Sequence, residues 1–79
     1  MSDDPKVYYS VPGYGEAIGF FDAVVDRDSD VETPSMGTKR WNAMKYVVRA
    51  PRKNGAADIE KAIDFLSRLL TDMREASCE

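Results

Sequence analysis

The chain has 79 residues, of which 43% are hydrophobic and 32% are charged, and its net charge is −3. This size predicts one small domain spanning residues 1–79, with 1–6 as a flexible tail. There is no histidine and only one cysteine, Cys78, which argues against a zinc site, an internal disulfide and histidine-based catalysis. We therefore expect no catalytic residue, no metal and no cofactor.

The hydrophobic pattern also bears on location. No run approaches the roughly 18 apolar residues of a membrane span. The polar start, MSDDPK, lacks the apolar stretch of a signal peptide. These features predict a cytoplasmic protein with no membrane partner.

The N-terminal segment contains the β-favouring run Val7–Val11, which Pro12 and Gly13 end as a turn. The run is short, so we expect an extended segment lying across helices rather than a strand in a sheet. Its tyrosines, Tyr8 and Tyr9, are expected to supply apolar area with their hydroxyls at the wet edge.

A first helix is predicted from Gly15 or Glu16 to about Val25. Helical spacing gives it one buried face, made of Ala17, Phe20, Phe21 and Val24. Gly19 lies inside this helix and lowers its propensity, which suggests that a neighbour approaches closely there.

The segment from Asp26 to Pro34 is predicted to be a polar loop. Its acidic members are Asp26, Asp28, Asp30 and Glu32. One interpretation is a solvated connector. The other is an acidic patch that repels nucleic acid or engages a basic partner.

The second helix is predicted to begin between Pro34 and Thr38, capped by Thr33, Ser35 or Thr38. Pro51 disfavours helical geometry in the preceding residue, so the helix should end near Arg49 or Ala50. Its core face is predicted to be Trp41, Met44 and Val48. A neighbouring polar stripe consists of Asn42, Lys45 and Arg49.

A basic turn, Arg52–Gly55, leads to a last helix predicted from Ala56 to Ala76. Its apolar residues form a long face, made of Ile59, Ala62, Ile63, Leu66, Leu69, Leu70 and Met73. We expect Ile59, Ile63 and Leu66 to pack against the core face of the second helix. The predicted fold class is all-α: a compact three-helix domain with an extended N-terminal segment.

Charge is polarised along the chain. Six of the 11 cations lie between Lys39 and Lys53, where there is no acid, whereas Asp22 to Glu32 holds five acids. Such polarity is typical of a surface that meets a charged partner.

The candidate phosphate- or partner-binding residues are Asn42, Lys45, Arg49, Arg52 and Lys53. Guanidinium groups offer paired donors to phosphate oxygens, and lysines add point charge. Tyr46 or Trp41, if exposed, could stack on a base, although Trp41 is expected in the core. The alternative is a structural network in which Asp58, the only carboxylate placed to hold a metal near these cations, pairs with Arg49 or Lys45.

Several segments together resemble a small phage-encoded helical family of largely unknown function. The pattern of that family is G-N-A-x-K-Y-x-x-R-A, a Lys-rich turn, then D-L-x-K-A-x-x-Y-L. The matching segments are Trp41–Tyr46, Arg49–Ala50 and Asp58–Leu66, with Tyr8–Ser10 and Ile18–Asp22 upstream. Members are often described as nucleotide kinases, because a small nucleotide kinase of short-tailed phages contains the domain. This chain lacks the family's histidine and has Trp41 in place of its glycine and Ile59 in place of its leucine.

The resemblance implies a phage origin, and the missing histidine favours binding over catalysis. We expect a non-catalytic inhibitor of a host defence complex, similar to an anti-CRISPR protein, that occludes a protein or nucleic-acid-binding surface of a host protein or ribonucleoprotein. The alternative is a nucleotide-binding or nucleotide-kinase-like accessory protein, for which so short a chain would need to form a homo-oligomer. Direct nucleic-acid binding is disfavoured by the net negative charge.

Overall fold

The computed structural model describes residues 9–77. The predicted tail at 1–6, Val7, Tyr8 and Cys78 lie outside the described residues. The elements in chain order are β1 (Ser10–Val11), β2 (Gly15–Glu16), α1 (Ala17–Arg27), α2 (Pro34–Arg49), a 3₁₀ turn (Ala50–Arg52) and α3 (Ala56–Ser77). The prediction of a mostly helical domain with three helices is confirmed.

The N-terminal segment forms a hairpin, so the expectation that it would not pair as a strand was wrong. Val11 pairs with Gly15 in an antiparallel ladder, and the Val11 carbonyl accepts a hydrogen bond from the Tyr14 amide at 2.9 Å. Gly13 and Gly15 adopt φ angles of 84° and 92°, which side-chain-bearing residues rarely tolerate. These two glycines let the chain reverse within a few residues.

The buried face of α1 is centred on Phe21, which is 3% exposed. Its ring lies edge-on to Tyr9 at 6.5 Å and to Trp41 at 6.1 Å. Phe20, also predicted to be buried, is instead 64% exposed. Adjacent helical positions differ by about 100° around the axis, and in α1 it is Phe21 that points into the core.

Local signals set the start of α2. Thr33 is the N-cap, and its hydroxyl accepts a hydrogen bond from the Met36 amide at 3.2 Å. Pro34 follows at the first helical position, where its missing N–H costs nothing. The predicted helix start is therefore confirmed, with Thr33 as the cap.

The close approach between helices occurs at Gly37 and not at Gly19. A β-carbon added at Gly37 would lie 2.9 Å from Val25 Cγ1, whereas one at Gly19 would meet nothing within 4 Å. The interpretation of Gly19 was wrong on this point. Gly37 instead lets α1 pack directly on α2.

We expect Gly37→Ala and Gly19→Ala to change stability in opposite directions. Both substitutions gain up to about 1 kcal/mol of helix propensity. At Gly37 the new methyl group collides with a stiff β-branched side chain, and overpacking of this kind costs about 1–3 kcal/mol. Urea denaturation should show Gly19→Ala to be more stable than the parent and Gly37→Ala less stable. Equal stabilisation by both would contradict the close contact.

Small side chains allow α2 and α3 to pack closely. Ala43, Ala50 and Ala62 are each 2–3% exposed, and Leu69 is 5% exposed. The turn between the helices is closed by a hydrogen bond from the Gly55 amide to the Ala50 carbonyl at 2.8 Å. α2 is the central helix, since α1 and α3 both pack on it and contact each other only weakly.

The packed face of α3 differs from the predicted one. Asp58, Ala62 and Leu69 are buried, whereas five larger apolar residues are 40–57% exposed: Ile59, Ile63, Leu66, Leu70 and Met73. The expected packing of Ile59, Ile63 and Leu66 as core residues was wrong. The apolar residues of this face span about 120° of α3, and the one helix that packs on it covers only part of this arc. Within the described residues, no helix combines the length and apolar character needed to cross a membrane.

Candidate binding surface around Tyr46

The acidic loop is largely tied to α2 through Arg40. The Arg40 guanidinium donates to Asp28 at 2.6 Å and to Glu32 at 2.9 Å. Arg27 also pairs with Asp28 at 2.7 Å. Hydrogen bonds from Arg27, and next from Arg40, hold the pKa of Asp28 well below its ordinary value. Two of the four acids predicted to contact a partner are therefore engaged within the chain.

The remaining predicted acids, Asp26 and Asp30, are exposed and form no ion pair within residues 9–77. At the other side of α2, Lys39 forms a salt bridge with Asp72 of α3. The polarity seen along the sequence is thus partly an internal complementarity between neighbouring elements.

Arg49 and Asp58 form a buried ion pair at the end of α2. Asp58 is fully buried and accepts two hydrogen bonds from Arg49, each at 3.1 Å. It also accepts two from Asn54, one from the backbone amide at 3.3 Å and one from the side-chain amide at 3.5 Å. The bond from Arg49 is the main reason that the pKa of Asp58 lies below its ordinary value, while burial opposes the lowering. The guanidinium fork of Arg49 is therefore directed at Asp58.

The other candidates have different environments. The Asn42 side chain donates to the Thr38 carbonyl of its own helix at 2.9 Å. Arg52 and Lys53 are exposed in the turn after α2. Lys45 lies over two aromatic rings, with Nζ 4.8 Å from the centre of Tyr46 and 5.5 Å from that of Trp41.

Tyr46 is the centre of a cation-rich group that we call the Tyr46 cluster, made of Lys45, Tyr46, Arg49, Lys61 and Phe65. The Tyr46 ring stacks on Phe65 of α3, with centroids 5.8 Å apart and an interplanar angle of 14°. The Arg49 guanidinium carbon lies 4.6 Å and Lys61 Nζ 5.4 Å from the same ring centre. Since Tyr46 is engaged by Phe65, it is not the open stacking platform that base recognition would need.

Lys61 and Phe65 were not among the residues predicted from the sequence. They are four residues apart on α3, so they share a helix face, and Tyr46 and Arg49 are three apart on α2. Helical spacing predicts each pair separately. Only the register between α2 and α3 shows that the pairs meet.

The chemistry that this cluster offers is the binding of anions. Neither Lys45 nor Lys61 has a carboxylate partner among the residues the structure describes. Their positive charges are held near aromatic faces, an arrangement that favours both the cation and the ring. In the described part of the chain, no three potential metal-ligating side chains come together.

Comparison of the chain with models of known protein families, with curated proteins and with solved structures finds no match. A functional proposal therefore depends on the geometry of the surface and on the sequence motifs.

Proposed function

We propose that the protein is a non-catalytic binding protein that attaches through the Tyr46 cluster to an acidic or phosphate-bearing surface of a macromolecular partner. The observation that carries the proposal is the pair Lys45 and Lys61. These cations come from different helices, meet at one aromatic ring and have no carboxylate partner in the described chain. A partner that supplies the missing negative charge would complete the group.

The cluster is also better placed for binding than the acidic loop. Asp28 and Glu32 are neutralised by Arg40, so a partner would have to displace an existing ion pair to use them. Arg49 is already fixed by Asp58, which orders one charge of the cluster before binding. Ordering groups in advance reduces the entropy lost on association.

The proposed partner is a host defence complex, either a protein or a ribonucleoprotein, which this protein inhibits by occluding a working surface. The resemblance of the sequence motifs to a phage-encoded family supports a role in phage infection of a host. The absence of histidine from the chain supports binding rather than catalysis.

The test is a phage-plaquing assay in a bacterial host whose CRISPR ribonucleoprotein targets the infecting phage. The protein should raise plaquing efficiency, and Lys45→Glu/Lys61→Glu should reduce that gain at least about tenfold, because like charges across an interface are strongly unfavourable. Arg68→Glu is the control for charge reversal on α3, since Arg68 is exposed and, among the described residues, forms an ion pair with Asp64 alone. An equal loss with the control, or no gain with the parent protein, would contradict the proposal.

Nucleotide binding is the second candidate, favoured by the same uncompensated lysines and by the nucleotide kinases of the resembling family. A melting assay with nucleoside mono- and triphosphates separates the two. A rise of about 4 °C or more with any nucleotide, lost in Lys45→Glu/Lys61→Glu, would favour this candidate. We expect no such rise.

A further inference from the structure

The exposed apolar residues of α3 form a regular seam. Counting from Ile59, the spacing is four, three, four and three residues, and these residues define what we call the α3 seam: Ile59, Ile63, Leu66, Leu70 and Met73. This is the spacing with which the a and d positions of a coiled coil face a partner helix. From first to last the seam is about 21 Å long.

The α3 seam continues onto the neighbouring helices. Phe20 of α1 and Val47 of α2 are 64% and 50% exposed, and together with Leu66 they border a groove of about 320 Å³. Monomeric proteins rarely expose a contiguous apolar surface of this kind. The surface is distinct from the Tyr46 cluster, because Lys61 and Phe65 lie about 120–160° around α3 from the centre of the seam.

The two edges of the seam differ in charge and in cover, and this difference indicates which kind of molecule packs on the seam. One edge, at Ala62 and Leu69, is covered by α2 of the same chain. The other edge carries Glu60, Ser67 and Arg74 at seven-residue intervals. A two-fold axis between Ser67 and Arg68 would place Glu60 close to Arg74 of a second copy, and Arg74 close to Glu60 of that copy.

We propose that the protein forms a homodimer in which two α3 helices pack antiparallel along their seams. In this register Leu66 meets Leu70 of the second copy, and Ile63 meets its Met73. The edges covered by α2 then face each other, which brings Val47 against its counterpart and produces a four-helix arrangement. A parallel pairing would instead set the charged edge of one α3 against the α2-covered edge of the other. The inference does not depend on the proposed function.

Sedimentation equilibrium from about 1 µM to about 1 mM is the first test, over the range of weak to moderate dissociation constants. The parent protein should approach twice the chain mass of 8.9 kDa. Ile63→Glu/Leu70→Glu should raise the dissociation constant at least about 100-fold while helix content by circular dichroism is kept, because an unpaired carboxylate is costly to bury. Thr71→Glu adds one such charge beside the seam and should not weaken the dimer. A monomer throughout, or a dimer indifferent to the seam glutamates, would overturn the proposal.

Cross-linking tests the register without weakening the interface. In a Cys78→Ser background, Ser67→Cys should form a disulfide-linked dimer under mild oxidation, because the two-fold axis brings this position close to its counterpart. Glu60→Cys alone should not, whereas an equal mixture of Glu60→Cys and Arg74→Cys proteins should. Efficient cross-linking of Glu60→Cys with itself would exclude the antiparallel register.

Discussion

Replacing Asp58 with alanine is expected to lower the free energy of unfolding by about 3–5 kcal/mol, the usual range when one member of a buried ion pair is removed. Asp58 is fully buried, and the Arg49 side chain is only 14% exposed. The substitution leaves the guanidinium without its counter-charge and the Asn54 amide without its acceptor. Urea denaturation followed by circular dichroism measures the loss.

Two further variants are needed to interpret the effect of Asp58→Ala. Asp64→Ala breaks the exposed pair with Arg68 on the same helix, and exposed pairs contribute less than about 1 kcal/mol. Arg49→Met/Asp58→Leu removes both charges together and should be more stable than Asp58→Ala, because neither charge is then buried alone. A double variant as unstable as the single one would mean that the pair itself stabilises the helix crossing.

The carboxylate of Asp58 also predicts how the stability of the protein depends on pH. The pKa of Asp58 is lowered in the folded state, so its stabilising effect is present above the unfolded pKa of about 3.9 and is lost as pH falls through the folded pKa. The stability advantage of the parent over Asp58→Asn should therefore shrink from about pH 6 to about pH 2. Asp28 titrates in the same direction, so the variant should retain part of the acid sensitivity. A stability difference independent of pH would contradict the assigned role of Asp58.

The helix boundaries could be predicted because short-range chemistry sets them. Thr33 followed by Pro34 defines the start of α2, and Pro51 defines its end. Gly55 has a φ of 53°, which suits the turn before α3. Each of these signals acts within a few residues, so the amino-acid sequence displays it directly.

The packed faces could not be predicted from the same information. α3 is apolar over an arc wider than one helix covers, and its periodicity does not say which part of that arc meets α2. Ala62 was therefore grouped with Ile59 and Ile63, although only Ala62 is buried. The choice depends on the small side chains that let α2 approach closely.

The candidate site also combines features that the sequence predicts with features that depend on how the helices pack. Lys45 and Arg49 were recognised from their helical spacing, and the pairing of Arg49 with Asp58 was one of the alternatives that the sequence left open. Lys61 was missed because it reaches the site from α3. Charge polarity along the chain pointed to an external partner, whereas Arg40 joins the acidic loop to α2 within the chain.

Phe21→Ala is expected to lower the free energy of unfolding by about 3–5 kcal/mol, as is usual when a buried phenylalanine is truncated. The Phe21 ring is 3% exposed and contacts Tyr9 and Trp41 edge-on, with interplanar angles of 88° and 85°. Removing it leaves a cavity and breaks both aromatic contacts, each of which adds about 0.5–1.5 kcal/mol beyond the buried area. No other side chain of α1 is buried, so α1 should lose most of its packing against α2.

Phe20→Ala is the matched control because it removes the same ring from the adjacent position, where the side chain is 64% exposed. Both substitutions should be made in the Ile63→Glu/Leu70→Glu background, so that self-association does not contribute to the measured stability. Phe20→Ala should then change the unfolding free energy by no more than about 0.5 kcal/mol. Trp41 fluorescence should respond to Phe21→Ala and not to Phe20→Ala, since only Phe21 contacts the Trp41 ring. Equal destabilisation by the two substitutions would mean that the core of α1 is not centred on Phe21.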